Sequence, residues 1–385
     1  MNDELINEFQ LVRNLTVELC LPLNTEDYIP QPVAFASPPK WHLAHTTWFF
    51  EEMILKKYAS EYREFHPDFG FLFNSYYNAI GNRLFRADRG NITRPTVEEV
   101  MTYRKYVDAA MVDLLDFTTI NEVKDLLQLG LQHEQQHQEL LITDFKHTFG
   151  NNPIFPVYKE NGVLVEDENS DDGWLKVNEG IYTIGHDGNG FSFDNEHGQH
   201  KVFLHEFEIS KSLVCNSDYI DFINDGGYSR PELWLDDGWT WVQENNIHNP
   251  LYWHKRDEQW HNFTLGGFRE VKLNAILAHV SFYEANAYAH WKGMRLPTEF
   301  EWEVASDHFN WGQRWEWTNS AYLPYPKFEI AKGAVGEYNG KFMINQMVLR
   351  GASVATSPSH SRKTYRNFFQ PHYQWQFTGI RLAKK

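Results

Sequence analysis

A long apolar-periodic stretch, from about Val123 to Phe149, most constrains how this chain can fold. Proline does not occur within it and first returns at Pro153. The large apolar residues of the stretch fall at helical spacings, so that they share one face of an α-helix. They are Leu126, Leu127, Leu140, Leu141 and Phe145. The pattern therefore predicts one long helix.

This predicted helix carries two histidines, His133 and His137, in a glutamine-rich segment. At about 3.6 residues per turn, side chains four positions apart lie one above the other on the same face. Two imidazoles so placed can hold one metal ion. The letters H-E-Q-Q-H match the zinc-protease signature only loosely, and in that interpretation Glu134 would be the protease glutamate. From the pair alone, a solvated polar helix face is an equal alternative.

Composition limits the class of protein. The length of 385 residues exceeds what one hydrophobic core usually takes, which predicts two domains. The chain has 35 basic against 52 acidic residues and a net charge of −17. A surface this acidic disfavours binding to a phosphate backbone, so we expect no nucleic-acid partner.

The two cysteines, Cys20 and Cys215, are too few for a disulfide framework and fit a reducing compartment. The acidic N-terminus lacks the basic and apolar regions of a signal peptide. We find no run of about 18 apolar residues, so we expect no membrane span. These features predict a cytoplasmic protein and leave its oligomeric state open.

The N-terminal half predicts a four-helix bundle with one long connection. Helices are predicted over residues 3–20, from Ser37-Pro38 to near Tyr58 with Ser37 as the capping residue, from the capping box at Thr96 to about Leu115, and through the His133/His137 stretch. Metal sites in bundles are built from side chains on facing helices. The second helix carries His42 and His45, either of which could be a third ligand or a structural histidine.

The long connection, about residues 59–94, is aromatic and contains several arginines. Connections of this length are commonly functional or disordered, and the aromatic content argues against disorder. Its arginines could clamp a carboxylate or could pair with the many acidic residues.

The C-terminal half differs in pattern. Residues 151–172 predict a linker, so that domains are expected at 1–150 and 173–385. Short strands, turns and few helices follow, with capping boxes at Ser281-Phe282-Tyr283-Glu284 and at Thr298-Glu299-Phe300-Glu301.

Four motifs in this half resemble the formylglycine-generating-enzyme family, which has a C-type-lectin-like fold. They are Asn216-Ser217-Asp218-Tyr219, the segment 295–303, Trp315-Glu316-Trp317-Thr318 and Leu349-Arg350-Gly351-Ala352-Ser353, in which Ala352 replaces the usual glycine. Formylglycine-generating enzymes use a pair of cysteines in this domain, whereas only Cys215 occurs here. The resemblance therefore implies the fold and not that activity.

The first half resembles a DinB-type bundle, and the whole chain resembles the sulfoxide synthases of ergothioneine biosynthesis. The specific segments are Trp41-His42-Leu43-Ala44-His45 and His133-Glu134-Gln135-Gln136-His137. This resemblance implies an α+β protein and an Fe(II) cofactor held by His45, His133 and His137. It also implies an oxidoreductase that uses dioxygen to join a thiol, cysteine or γ-glutamylcysteine, to the imidazole of hercynine. His42 would support the site from outside or be structural.

The resemblance implies further site residues. Gln136 and Asn367 match residues that contact the betaine substrate, and Phe368 stands where an aromatic ring packs against the trimethylammonium group. Phe369 and Tyr373 replace an acidic and a basic residue that bind γ-glutamylcysteine in mycobacterial-type members. The Asn74-Ser75-Tyr76-Tyr77 segment resembles a cysteine-accepting subtype, in which Tyr76 or Tyr77 would serve the chemistry. Arg83 and Arg86 would hold the donor's carboxylate.

Two alternatives accompany this interpretation. A related iron enzyme could use histidine or a selenium donor in place of these substrates. A non-catalytic, lectin-like binding protein would bind no iron and consume no oxygen.

Overall fold

A computed structural model describes residues 2–75, 84–160, 167–330 and 339–385. The chain divides into two compact units. The first contains the described residues up to Lys159 and also Ala355–His360. The second contains the other described residues, from Glu160 to the end of the chain. The domain boundaries expected from the sequence, at 1–150 and 173–385 with a linker between them, remain predictions.

The first unit is helical. Its four longer helices are packed pairwise, with α1 and α2 each contacting both α5 and α6. A π-helical turn, Glu51–Leu55, continues α2 into α3. The helices are α1 (Asn2–Cys20), α2 (Pro39–Phe50), α3 (Lys56–Tyr58), α4 (Phe69–Leu72), α5 (Val97–Phe117) and α6 (Asn121–Gly150).

Helix α2 is buried along its whole length because nearly every side chain in it is apolar, aromatic or able to hydrogen-bond internally. At its start, the sequence-based expectation that Ser37 caps the helix is wrong, because the capping residue is Pro38 and makes no side-chain bond. Ser37 instead donates its backbone N–H to Asp144 Oδ2 at 2.7 Å. The capping box at Thr96 is confirmed at the start of α5.

The second unit is rich in short strands, which form four small sheets. The largest has the order β10-β9-β8-β11, with β11 parallel to β8 and the other pairs antiparallel. Strands β5, β6 and β7 form an antiparallel meander, while β1 pairs with β4 and β2 with β3. The strands are β1 (Trp174–Val177), β2 (Gly180–Ile184), β3 (His200–Leu204), β4 (Phe207–Ser210), β5 (Trp253–Arg256), β6 (Gln259–Thr264), β7 (Gly267–Glu270), β8 (Trp315–Ala321), β9 (Met347–Gly351), β10 (Asn367–Phe369) and β11 (Thr378–Gly379).

Four helices of this unit accompany the sheets, namely α7 (Asn216–Asn224), α8 (Asp236–Asn245), α9 (Phe282–Trp291) and α10 (Glu299–Ala305). Ser281 and Thr298 form the two predicted capping boxes of α9 and α10. An apolar core joins Trp302 of α10 to strand residues such as Ile209 and Phe207. The helical first part and the sheet-rich second part confirm the predicted α+β fold class. Among the described helices, none has both the length and the hydropathy needed to cross a membrane.

Candidate metal centre

Three buried histidines of the helical unit converge on one point. His45 comes from α2, while His133 and His137 lie one turn apart on α6. One nitrogen from each ring can be chosen so that all three lie within 4.8 Å of one another. The ring centres are 5.0 Å apart for His45 and His133, 4.7 Å for His45 and His137, and 4.6 Å for His133 and His137.

The His45 ring is fixed by stacking and by one hydrogen bond. It lies nearly parallel to Trp41 on one side, at 4.4 Å, and is also stacked with Trp48 at 5.6 Å. Its Nδ1 is 2.6 Å from the carbonyl oxygen of Phe73. A carbonyl only accepts, so Nδ1 carries the hydrogen and the lone pair of a neutral ring is on Nε2. Nε2 is therefore the nitrogen that can bind a metal.

A buried arginine covers Trp41. The guanidinium carbon of Arg89 is 3.4 Å from the centre of the Trp41 ring. Its nitrogens donate to the hydroxyls of Ser37 and Ser75, both at 2.8 Å. Two groups so close to one ring centre must occupy opposite faces, so Trp41 lies between the Arg89 cation and the His45 imidazole.

His137 is supported by a fourth histidine. Its Nδ1 is 2.9 Å from Nδ1 of His42, and Nε2 of His42 is 3.1 Å from Asp144 Oδ2. His42 and Asp144 are both 1% exposed. Hydrogen-bonded partners of this kind orient metal-ligating histidines in many metalloproteins. The group that could hold a metal consists of His45, His133 and His137, and the expectation that His42 supports the site from outside the ligand set stays a prediction.

His133 differs from the other two. Within the described part of the chain, its buried Nδ1 has no hydrogen-bond partner. Its ring packs at a tilt against Phe49, with centres 5.0 Å apart. A buried polar nitrogen without a partner is costly, and binding to a metal ion would satisfy it.

The three rings are electrically neutral at physiological pH. Burial lowers the pKa of His133 to about 4. Burial likewise holds the pKa values of His45 and His137 well below that of free histidine, with the neighbouring histidines adding to the effect. Metal ligation requires the neutral imidazole, so the cluster is in the protonation state that a divalent metal needs. Imidazole donors suit iron, zinc, copper and nickel.

Glu134 does not serve this site. Its carboxylate is fully buried, accepts from Arg13 Nη1 at 2.8 Å and from Thr16 Oγ1 at 2.6 Å, and is also bonded to Arg104. Burial would raise the pKa of Glu134, but Arg104 and Arg13 overcome it and lower the pKa to about 2. A carboxylate so engaged is no general base, and the loose match to a zinc-protease signature has no protease role here.

The glutamine-rich face of α6 binds a distant segment of the same unit, Ala355–His360. Four pairs of groups connect them: Nδ1 of His360 with Oε1 of Gln132 at 2.9 Å, Thr356 Oγ1 with Glu139 at 2.9 Å, Gln135 Nε2 with the Pro358 carbonyl at 3.3 Å, and Ser357 Oγ with Gln138. These amides therefore belong to a contact within the folded unit rather than to a solvated face.

Comparison with known proteins shows what the two halves of the chain are similar to. Residues 8–141 match the DinB superfamily, and residues 160–314 match the sulfatase-modifying factor enzyme 1-like domain. A hercynine oxygenase of Mycolicibacterium smegmatis is 26% identical, over 99% of this chain and 98% of the relative. This chain is therefore similar to a hercynine oxygenase along almost its whole length. The similarity to several named hercynine oxygenases identifies it as an oxidising enzyme.

Other relatives align over shorter parts. The hercynine oxygenase of Mycobacterium tuberculosis is 30% identical over 50% of this chain and 56% of its own length. Ergothioneine biosynthesis protein 1 of Schizosaccharomyces pombe is 24% identical over 50% of this chain and 28% of its own length. The order of the two matched domains agrees with the order of the helical and sheet-rich units.

Of the other residues that the family resemblance implies, those of the first unit are only partly described. Gln136 lies half-buried on α6, between the two histidines in sequence. Arg86 donates from Nη2 to the carbonyl of Phe35, while its buried Nε has no hydrogen-bond partner within the described residues. Tyr76, Tyr77 and Arg83 lie outside the described residues. Their roles stay predictions.

The implied residues of the second unit lie on β10, which pairs with β9. Asn367 Oδ1 accepts from the backbone N–H of Phe368 at 2.9 Å. Phe368 is half-buried and stacks on Tyr322, with ring centres 4.1 Å apart and 9° between the planes. Phe369 packs edge-on against Trp375 at 5.2 Å. Their substrate contacts stay predictions.

The sequence analysis missed several residues around the histidines. Asp144 lies seven positions after His137, a spacing that returns to the same helix face, and this was the available clue. The Phe73 carbonyl and the Arg89 cation reach the site from other segments, so no local spacing could show them.

Proposed function

We propose that this protein is an Fe(II)- and dioxygen-dependent sulfoxide synthase that joins a thiol to hercynine. In this reaction the ring C–H, the thiol S–H and dioxygen give a C–S bond, an S=O group and one water. The observation that carries the proposal is the cluster of three neutral imidazoles, in which one nitrogen of each ring lies within 4.8 Å of one nitrogen of each of the others. It occurs in a chain that matches a hercynine oxygenase from end to end.

The residues fit a divalent metal that must also bind small molecules. Three protein donors leave coordination positions open on an ion such as Fe(II), which when bound would supply the dioxygen chemistry. Because the imidazoles carry no charge, His45, His133 and His137 leave the ion's positive charge uncompensated. A site of that charge favours an anionic substrate atom, and a cysteine thiolate is such an atom.

The remaining roles complete the proposal. Gln136, Asn367 and the aromatic rings of Phe368 and Phe369 would bind hercynine, because an aromatic face attracts a quaternary ammonium by about 0.5–2 kcal/mol. Arg83 and Arg86 would bind the carboxylate of the donor, which is cysteine or γ-glutamylcysteine. Tyr76 or Tyr77 would deliver a proton or hydrogen atom during oxygen reduction.

The test is a product analysis. The protein, purified and loaded with Fe(II) without air, receives hercynine and either thiol, and is then exposed to air. Mass spectrometry should find the sum of the two substrates plus one oxygen and minus two hydrogens. The Zn(II)-loaded protein is the matched control, because it has the same donors without redox chemistry. Oxygen uptake that yields only oxidised thiol, or no uptake, would overturn the proposal.

A further inference from the structure

A fourth histidine, His42, is buried beside the proposed ligands, and the proposed reaction gives it no part. Its ring centre is 5.1 Å from that of His137. Both of its nitrogens are engaged, Nδ1 with His137 and Nε2 with Asp144. It therefore connects a buried carboxylate to a proposed metal ligand.

Counting hydrogens along this row fixes where each one lies. Asp144 Oδ2 already accepts the backbone N–H of Ser37 at 2.7 Å, and an ionised carboxylate has no hydrogen to give. Burial lowers the pKa of His42, which favours a neutral ring with a single hydrogen. That hydrogen must then be on Nε2, pointing at Asp144. Nδ1 of His42 is left as an acceptor, and the hydrogen between the two rings belongs to Nδ1 of His137.

The same distances exclude the other tautomer of His42. A hydrogen on Nδ1 of His42 would leave its Nε2 facing Asp144 at 3.1 Å with no hydrogen between them. Two lone pairs would then meet in a buried site, where unsatisfied acceptors are costly.

We propose that His42 is a positioning residue that fixes the tautomer and ring orientation of His137, with Asp144 as its anchor. With its hydrogen on Nδ1, His137 carries its lone pair on Nε2. The hydrogen bond to the Phe73 carbonyl orients His45, and the hydrogen bond to His42 orients His137. Both rings then present Nε2 to the same ion. This inference rests on the metal centre of the proposed function.

Two substitutions separate this role from simple packing. The terminal atoms of asparagine are bonded to Cγ, as Nδ1 of histidine is, so His42→Asn can place its carbonyl oxygen where it accepts from His137. The terminal atoms of glutamine lie one bond further out, near the place of Nε2. His42→Gln can therefore bond to Asp144 but leaves His137 without an acceptor.

Binding of Co(II), measured by competition with a coloured chelator, gives the readout in the full-length protein. His42→Gln should weaken binding by about 10- to 100-fold, the usual effect of losing a partner of a metal ligand. His42→Asn should stay close to the wild type, although it is the smaller side chain. Equal affinities in the two variants, or weaker binding in His42→Asn, would overturn the inference. Thermal melting of the metal-free proteins checks that each variant folds.

A second pair keeps the test decisive if His42→Gln does not fold. The oxygen of Asp144→Asn can still accept from Ser37 and His42, so this variant should bind Co(II) nearly as the wild type does. Asp144→Leu removes the acceptor and should bind more weakly. Wild-type affinity in Asp144→Leu would refute the role of His42. Wild-type protein that binds no Co(II) would instead refute the metal centre, and with it the proposed function.

Discussion

The indole of Trp41 lies parallel to the imidazole of His45, with ring centres 4.4 Å apart and 16° between the planes. On the other face of the indole, the guanidinium of Arg89 approaches the ring centre to 3.4 Å. A cation, an indole and a proposed metal ligand are thus stacked in the interior of the helical unit. The flat guanidinium of Arg89 therefore helps to hold Trp41 against His45, a role that depends on its shape as well as on its charge.

Replacing Arg89 by lysine should destabilise the protein even though the charge is kept. Lysine has no planar group to stack on Trp41, and its single ammonium nitrogen replaces the two separate guanidinium nitrogens that donate to Ser37 and Ser75. We expect the free energy of unfolding to fall by about 2 kcal/mol, the size of a desolvated cation–π contact. Urea denaturation measures it, and Arg63→Lys, at an exposed position, is the control. Similar losses in both variants would contradict the stacked role.

Glu134→Gln tests the buried ion pairs next to the histidines. Glu134 neutralises Arg13 and Arg104 in the interior. Removing its charge leaves two buried cations poorly compensated, which should cost about 3–5 kcal/mol in urea denaturation. Asp108→Asn is the matched control, because Asp108 also pairs with Arg13 but is 29% exposed, and it should cost less. An equal or smaller loss in Glu134→Gln would contradict this account.

The metal-free protein should lose stability in mild acid. Burial lowers the pKa of His133 from 6.5 to about 4. The unfolded chain therefore takes up a proton below pH 6.5 that the folded chain refuses until about pH 4. The stability that a neutral His133 contributes is complete above pH 6.5 and is lost as the pH falls towards 4, by about 3 kcal/mol.

Urea denaturation between pH 7.5 and 4.5 measures this loss. His133→Asn, which has no titrating group, should show a shallower decline than the wild type. His205→Gln removes a histidine whose side chain is 86% exposed and should leave the wild-type profile unchanged. Parallel profiles for wild type and His133→Asn would show that His133 is not the group responsible.

How much of this site the sequence predicts depends on the range of each interaction. Local patterns give the helices, the three capping boxes and the one-turn spacing of His133 and His137. The family resemblance alone selected His45 rather than His42 as the third ligand, because no periodic signal connects residues on different helices. The capping role expected for Ser37 is wrong, because its hydroxyl accepts from Arg89, 52 positions later in the sequence, and Pro38 is the capping residue.

The product prediction concerns the two tyrosines of the first connection. If Tyr76 or Tyr77 delivers the hydrogen that directs oxygen reduction, the double variant Tyr76→Phe, Tyr77→Phe should divert thiol to cysteine sulfinate. Mass spectrometry of both products gives the partition. Tyr182→Phe, whose hydroxyl donates to Asn178 at an exposed site, is the control. An unchanged partition in the double variant would remove the tyrosines from the chemistry.

The contact between His360 and Gln132 offers a test of the segment bound to α6. Their hydrogen bond, 2.9 Å long, joins buried side chains 228 positions apart, one of them next to His133. His360→Ala leaves the buried oxygen of Gln132 without this donor, which should cost about 1–3 kcal/mol, and Gln132→Ala leaves the imidazole without its acceptor. Each single change breaks the same hydrogen bond. The double variant should therefore lose less free energy of unfolding than the sum of the losses in the two single variants. A coupling of about 1 kcal/mol in urea denaturation is expected for such a pair. If the two losses of free energy are strictly additive, the hydrogen bond between His360 and Gln132 does not stabilise the contact of Ala355–His360 with α6.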